Sequence, residues 1–326
     1  MRFYSVIIPV FNRPDEVDEL LSSLTQQSYT NFEVIIVEDG STQPCEAIVA
    51  KYKDNLRVNY FFKENSGQGF SRNFGFERAK GDFLIVFDSD CLIPKNYFEI
   101  VEQKLNDAHL DAFGGPDRAH DKFTPLQKAI SYSMTSPLTT GGIRGNKKHT
   151  GTFHPRSFNM GISKAVFKET KGYRITRMGE DIEFSIRIID AGFKTSLIPE
   201  AFVYHKRRTS FKHFYNQLHF FGRARINVNR LCPGELKVVH LLPAIFVFGL
   251  MALPIMALTI PWLFKLGLGL VSLFILLLFI DATLQSKSLK IGILGVLAAF
   301  TQLVGYGLGL ITEVIKPRGN QPFSQK

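Results

Sequence analysis

The stretch GDFLIVFDSDC (81–91) brings two carboxylates, Asp88 and Asp90, to the end of a run of apolar residues. Like charges one residue apart at a strand end repel and lose hydration. They call for a cation or a ligand that offsets both costs. A third acid, Asp39, closes a second apolar run, FEVIIVEDGS (32–41). Glu180 and Asp181 open a helical pattern, EDIEFSIRIIDAG, with Ile182, Ile186 and Ile189 roughly on one face and Gly192 as its stop. Taken alone, two acids at a helix start are ordinary charge that complements the helix dipole.

Positioning these acids falls to a series of alternating elements. YSVIIPVF (4–11) reads as a buried strand, and Pro14, Asp15 and Glu16 open a helix to about Gln27. FEVIIVED is a second strand, and a polar helix follows near 44–54. RVNYFF (57–62) is a third strand, GQGFSRNFGFERAKG (67–81) a helix bounded by glycines, and DFLIVF (82–87) a fourth strand. Strands alternating with helices predict a parallel sheet with right-handed crossovers. Ligands bind beyond the carboxyl ends of such strands, where Asp39, Asp88 and Asp90 can converge. A dinucleotide fold is disfavoured. No glycines follow the first strand, and the lone G-x-G, Gly67 to Gly69, comes after the third. From Asp111 to Ala201 the pattern loosens. FGGPDRAH (113–120) is expected to add a strand, and residues 135–157, rich in Gly, Thr, Lys and His, to form a long loop. SFNMGISKAVF (157–167) reads as strand into helix, KTSLIP and AFVYH as short strands.

The chain has 326 residues and 45% hydrophobic content, unevenly spread. Residues up to about 237 look like a soluble protein; 238–315 are nearly continuously apolar. Three stretches, 240–260, 263–280 and 291–313, are long enough or nearly so to cross ~30 Å of hydrocarbon. Pro243, Pro254 and Pro261 interrupt the first, which is expected to be kinked or only partly inserted. The net charge of +10 is concentrated in Lys206, Arg207, Arg208, Lys212, Arg223, Arg225, Arg230 and Lys237, against Glu235. Lying directly before the apolar region, this block suits an anionic membrane surface better than nucleic acid. Phe211, Phe214, Tyr215, Leu218 and Phe221 recur there at helical spacing. That pattern fits a basic interface helix or a core-packing helix. Asp281, Lys287 and Lys290 mark the connection between the second and third stretches. Three spans with a cytoplasmic first domain put those lysines inside, as the positive-inside rule asks, but put Lys316, Arg318 and Lys326 outside. A re-entrant first segment, leaving two spans, removes the conflict. MRFYSVIIPVFN lacks a cleavage site and is not expected to be a signal peptide. Cys45, Cys91 and Cys232 show no metal spacing and read as reduced thiols in a cytosol-facing domain.

Three blocks in order resemble the inverting family 2 glycosyltransferases with a GT-A fold. SVIIPVFNRPDEVDELLSSLTQQSYTNFEVIIVEDGS resembles the opening block, NSGQGFSRNFGFERAKGDFLIVFDSD the second, and FNMGISKAVFKETKGYRITRMGEDIEFSIRIIDAGF the acceptor-side block. The resemblance covers roughly residues 3–205 and implies a mixed, mostly parallel sheet flanked by helices. It divides the chain into a nucleotide-sugar-binding half (1–110), an acceptor-side half (111–205), a basic interface region (206–237), membrane helices (238–315) and a tail (316–326). By resemblance, Asp90 is the direct ligand of Mn²⁺ or Mg²⁺, with Asp88 nearer the ribose and also facing the metal. Asp39 reads the base of a UDP- or GDP-linked donor, and Glu38 stands where Asp is commoner. Pro9, Phe11 and Asn12 line the base pocket; Arg72 and Asn73 pack near donor and diphosphate. A divalent ion neutralises the departing diphosphate. Asp181 matches the base that takes the acceptor proton, with Glu180 its neighbour on the acceptor side. His205 is either a third metal ligand or structural. Arg207 and Arg208 either hold the diphosphate or anchor the interface.

Gln217 lacks the Arg-Trp that follows it in processive synthases, so transfer of a single sugar is expected. The acceptor is expected to be a lipid-linked glycan in cell-envelope assembly, or a polyprenyl phosphate, at a bacterial inner membrane. A nucleotidyltransferase would carry a glycine-rich nucleotide loop near its start. A glycosidase needs two opposed carboxylates and no nucleotide pocket. A non-catalytic scaffold has no use for Asp39, Asp90 and Asp181 together.

Overall fold

The computed structural model describes residues 1–140 and 153–317. Along the chain come β1 (Tyr4–Val10), α1 (Pro14–Thr25), β2 (Phe32–Asp39), α2 (Glu46–Ala50), β3 (Val58–Lys63), α3 (Gln68–Arg78) and β4 (Phe83–Phe87). Next are β5 (Cys91–Leu92), α4 (Tyr97–Ala108), β6 (Ala112–Gly114), β7 (Asp117–Arg118), α5 (Pro125–Thr135) and α6 (Pro137–Thr140). Then follow β8 (Asn159–Ser163), α7 (Lys164–Thr170), α8 (Glu180–Asp190), β9 (Thr195–Leu197), β10 (Val203–His205), α9 (Phe211–Leu231), α10 (Leu242–Thr259), α11 (Pro261–Ser286) and α12 (Leu289–Ile315). The described residues fall into two compact units, 1–118 with 153–205 and 119–140 with 206–317.

The first unit is a seven-stranded sheet in the order β3-β2-β1-β4-β8-β6-β9. β3, β2, β1 and β4 run parallel, while β8 is antiparallel to both β4 and β6. Every residue of β2 is buried, as a central strand covered on both faces requires. Alternation divides the core. Val6, Ile8 and Val10 pack with Leu20, Leu24, Val34, Ile36 and Phe98 on one face. Ile7 joins Phe76, Leu84, Val86, Tyr173 and Phe184 on the other. Each such side chain contributes about 1.5–3 kcal/mol by leaving water. A small second sheet, β5-β10-β7, pairs His205 antiparallel with Cys91. That register sets His205 beside the end of β4. The strand expected over 113–120 is split into β6 and β7 by Gly115 and Pro116.

In the second unit α9 lies along α12, and α5, α10 and α11 also pack on α12. α5 lies within a stretch for which the sequence reading predicted no helix. Its start is fixed by a capping box in which Thr124 accepts from the Gln127 backbone and Gln127 returns a bond to Thr124. Residues 119–140 therefore pack with this unit and not with the acceptor-side half to which 111–205 was assigned. Of the expected long loop, 137–140 form α6, and 141–152 lie outside the described residues.

α9 realises the core-packing reading along one face: Phe214 and Leu218 are buried with Ile130, Met134 and Ala298. Two of its arginines, Arg223 buried and Arg230 exposed, reach one acid. Arg223 Nε and Arg230 Nη1 each donate to Glu313 at 2.7 Å, and Glu313 is fully buried. Glycines allow the close approach. A Cβ on Gly309 would stand 2.0 Å from the His219 carbonyl oxygen, and one on Gly222 2.0 Å from that of Tyr306.

α10, α11 and α12 are each long and apolar enough to cross a membrane. Their 18, 26 and 27 residues span roughly 27, 39 and 40 Å. Pro243 and Pro261 sit in first turns, where a missing N–H costs nothing, so only Pro254 is interior. Asp281 lies within α11 instead of in the connection, accepting from Tyr132 Oη at 2.7 Å. Of the tail lysines and arginine, Lys316 is described; Arg318 and Lys326 lie outside the described residues.

Candidate active site

The carboxyl ends of β2, β1 and β4 lie side by side, and acids follow at the ends of β2 and β4. β1 leads into Asn12, which adopts φ 54°, a left-handed conformation that Asn tolerates better than most residues. Its side-chain oxygen accepts from the backbone of Thr42 at 2.8 Å and Gln43 at 3.0 Å, and its own N–H donates to Ser41 at 2.7 Å. Asn12 thus ties the end of β1 to the loop after β2. Phe11 beside it is half exposed, an apolar surface at the mouth of the loop. Pro9 is partly buried within β1.

Asp39 ends β2 almost fully buried. It accepts from Lys63 Nζ at 2.5 Å and from the backbone N–H groups of Ser66 and Gly67 at 2.9 and 2.8 Å. Asn65 donates to its carbonyl at 2.7 Å. These bonds fold the 63–67 segment around the carboxylate. Glu38 is also buried, and faces the other way: it accepts from Ser41, from the Cys45 N–H at 2.8 Å and from Tyr60 Oη at 3.3 Å. A longer acid at this position therefore shapes the 41–45 loop.

Asp88 and Asp90 flank the turn beyond β4. Asp90 Oδ1 lies 2.9 Å from His205 Nε2, and Asp88 Oδ2 4.0 Å from the same nitrogen. The far oxygens meet arginines: Asp90 Oδ2 pairs with Arg13 at 2.8 Å, and Asp88 Oδ1 with Arg72 at 2.9 Å. Phe158 stacks on the His205 ring at 5.2 Å and fixes its plane. A carboxylate oxygen of Asp90 and an imidazole nitrogen thus converge, with Asp88 at the margin of the pair, and oxygen and imidazole donors suit Mn²⁺ or Mg²⁺. The sulfur of Cys91 also falls within 4.8 Å of the Asp90 and His205 donor atoms. Burial, then the charges of Asp90 and Asp88, push its thiol well above the usual range, and it donates to the Phe158 carbonyl at 3.6 Å. It stays a protonated thiol, poorly suited to a hard ion.

Arg72 links this corner to the acceptor-side acids. It is fully buried, with one arm on Asp88 and the other on Glu180 Oε1 at 3.2 Å. Burial alone would weaken its hold on a proton; the neighbouring Tyr173, Asp88 and Glu180 outweigh that and keep it charged. Glu180 also accepts from Gln68. Burial, reinforced by the charge of Asp181, raises the Glu180 pKa against the pull of Arg72. Gly179, at φ 100°, turns the chain into α8 and starts it on Glu180. Asp181 accepts from the Ile182 N–H at 2.9 Å and pairs with Arg156 Nε at 2.7 Å. Asn73 uses both ends of its amide on the backbone of Tyr173, at 2.8 Å each. These bonds hold the 172–173 turn under Arg72 and leave the second N–H of the amide as a donor.

The sequence reading missed Arg13, Lys63, Gln68 and Arg156. Only Arg13 carried a local signal, standing next to Asn12; the others meet partners 24, 112 and 25 residues away. Arg207 and Arg208 belong to the second unit. The Arg207 carbonyl accepts from Gln127 at 3.0 Å.

Residues 5–171, just over half of the chain, match the family described as Glycosyl transferase family 2. An uncharacterized glycosyltransferase of Rickettsia conorii is 41% identical over 96 residues, 29% of this chain and 16% of that protein. The poly(ribitol-phosphate) beta-N-acetylglucosaminyltransferase TarS of Staphylococcus aureus is 36% identical over 115 residues, 34% of this chain and 20% of its own length. The matched segments thus cover a fifth or less of these relatives. Among solved structures, the mannosyltransferase PcManGT of Pyrobaculum calidifontis, in complex with GDP-Man and Mn²⁺, superposes with a TM-score of 0.68. The superposition covers 96% of this chain and 87% of that one at 16% identity, a likeness of fold. With more than half its length inside the family's pattern and that fold beneath it, the chain belongs to glycosyl transferase family 2.

Proposed function

We propose that this glycosyltransferase works with inversion and a divalent metal. It moves one sugar from a nucleotide-diphosphate donor to a hydroxyl or phosphate of a lipid-linked acceptor. The observation that carries the proposal is the pairing of Asp90 with His205 beyond the end of β4, with Asp88 4.0 Å from the same imidazole nitrogen, in the same unit as Asp39 and Asp181. Asp39, with Phe11 and the Asn12 loop, receives the base. Asp90 and His205 would hold Mn²⁺ or Mg²⁺, with Asp88 beside them; the ion, when bound, neutralises the leaving diphosphate. Asp181 takes the acceptor proton. Its bond from the Ile182 N–H and its pairing with Arg156 fix the carboxylate's orientation. Glu180 lies buried beneath it and keeps Arg72 in place.

Three helices able to cross a bilayer, on the same chain, support a membrane-bound acceptor. The second unit also has an apolar groove of about 440 Å³ lined by Phe211, Tyr215, Phe300, Thr301 and Val304, with Lys212 its one charged side chain. That combination suits a lipid chain with an anionic head. We place the protein in a bacterial inner membrane as a multi-pass protein, with its catalytic unit on the cytoplasmic side. The test uses the full chain in nanodiscs with radiolabelled UDP- and GDP-sugars, Mn²⁺ and a bacterial lipid extract. Label should pass into the organic phase with one donor and stay in water when EDTA is added. Label that remains aqueous with every donor, while free nucleotide accumulates, would show a non-lipid acceptor or water.

A further inference from the structure

We propose that Arg13 sets the cation preference of the metal site by holding Asp90 to a single coordinating oxygen. The proposal rests on the metal-dependent reading above and concerns a residue that reading does not use.

The two oxygens of Asp90 face different partners. Oδ1 lies 2.9 Å from His205 Nε2, and Oδ2 is held 2.8 Å from Arg13 Nη1. Asp88 repeats the pattern: Arg72 takes Oδ1 at 2.9 Å, and Oδ2 is the atom nearer His205. Each acid of the Asp-x-Asp pair is thus gripped by an arginine on its far side. A guanidinium does not lose its proton, so an ion reaching Asp90 approaches through Oδ1, on the His205 side, unless Arg13 is displaced from Oδ2. Arg13 is not loosely placed. It directly follows Asn12, whose side chain is fixed by the backbone of Thr42 and Gln43 and whose N–H is fixed by Ser41. Glu16 lies 3.8 Å from the same Nη1 and supplies a second anchor.

Coordination chemistry turns this into selectivity. Ca²⁺ gathers six to eight oxygens and commonly takes both oxygens of a carboxylate. Mg²⁺ demands a tight octahedron of six ligands, and Mn²⁺ favours the same arrangement. An Asp-x-Asp pair limited to one oxygen each suits the octahedral ions and starves Ca²⁺ of ligands. The positive charge of Arg13 also repels every dication, but by a similar amount. Removing it shifts all affinities together, and only their ratio reports on the number of oxygens available.

Nucleotide binding, not turnover, is the readout. UDP and GDP would be titrated calorimetrically into the full chain in detergent with Mn²⁺, Mg²⁺ or Ca²⁺, for wild type, Arg13→Gln and Arg13→Lys. Wild type should bind nucleotide at least about tenfold more tightly with Mn²⁺ than with Ca²⁺. Arg13→Gln should narrow that gap to about threefold or less, because Asp90 can then chelate. Arg13→Lys, which keeps a cation on Oδ2, should preserve most of it. As a check that needs no variant, equimolar Ca²⁺ should fail to displace Mn²⁺ from the wild-type protein, followed by electron paramagnetic resonance. An unchanged Mn²⁺-to-Ca²⁺ ratio in Arg13→Gln overturns the role of Arg13 while leaving the metal site standing. So does an equal loss for all three ions, or ready displacement by Ca²⁺. Nucleotide binding indifferent to EDTA in wild type removes both the proposal and the metal reading.

Discussion

Replacing Arg72 by Met should expose how far the site depends on one buried cation. The change keeps most of the side chain's apolar length and removes the guanidinium. Asp88 is a third exposed, so losing that pair costs less than about 1 kcal/mol. Glu180 is different: its side chain is 5% exposed, and without Arg72 it keeps only neutral donors, Gln68 and a backbone N–H. Leaving a buried charge without its partner costs about 3–5 kcal/mol. Two buried thiols report the effect within the same unit. Cys45 and Cys91 are at most 1% exposed and label only when this unit opens, whereas Cys232 is partly accessible and serves as an internal reference. With opening fast relative to labelling, 3 kcal/mol corresponds to about 10²-fold faster modification of Cys45 and Cys91. The effect should depend on pH. Glu180 already has a raised folded pKa, and losing Arg72 raises it further. The native state then holds a proton that the unfolded chain releases near pH 4.3, so stability falls as pH rises above that value. The variant-to-wild-type labelling ratio should therefore be larger at about pH 7 than at about pH 4. Adding Glu180→Gln, which removes the stranded charge, should recover part of the loss. A ratio below about fivefold, or one equal at both pH values, would refute the bridge from Asp88 through Arg72 to Glu180.

Two further outcomes follow from the geometry. Asp181→Asn should lower turnover by about 10²-fold or more while donor affinity stays near wild type, as steady-state kinetics and calorimetry together will show; ordinary turnover would move the base elsewhere, with Glu180 next. Glu313→Gln strands Arg223, whose side chain is 9% exposed, and should cost about 3–5 kcal/mol in the second unit, seen as an earlier thermal loss of the monomer peak in detergent chromatography. Melting unchanged from wild type would mean that the arginines of α9 find other partners.

The parallel half of the sheet was readable because its strands are buried on both faces. YSVIIPV, FEVIIVED and FLIVF are near-continuous apolar runs, and the acids at their ends lie where crossover geometry predicts. Strand direction was not readable: nothing in NMGIS tells β8 to run antiparallel to β4. α5 was missed although TPLQ carried a capping box. Its apolar residues are interleaved with Ser and Tyr that only packing against other helices explains. The charge of α9 suggested a surface helix because the acid that absorbs Arg223 and Arg230 sits about 90 residues later in an apolar stretch. In the site, the acids announced themselves by position. Arg72 was named there by resemblance, but the pairings were not legible, since Arg13 meets Asp90 across 77 residues and Arg72 meets Glu180 across 108.

The central claim is that Asp39 and the Asp90–His205 corner together form a metal-dependent nucleotide site. Calorimetric titration of UDP and GDP into the full chain tests it most directly, with wild type, Asp39→Ala and Asp90→Asn each measured in Mn²⁺ and in EDTA. The account predicts that one nucleotide binds wild type in Mn²⁺ and at least about tenfold more weakly in EDTA. Asp90→Asn should bind as weakly in Mn²⁺ as wild type does in EDTA, and Asp39→Ala should bind weakly in both. Equal binding by wild type with and without Mn²⁺, or undiminished binding by both variants, would contradict it.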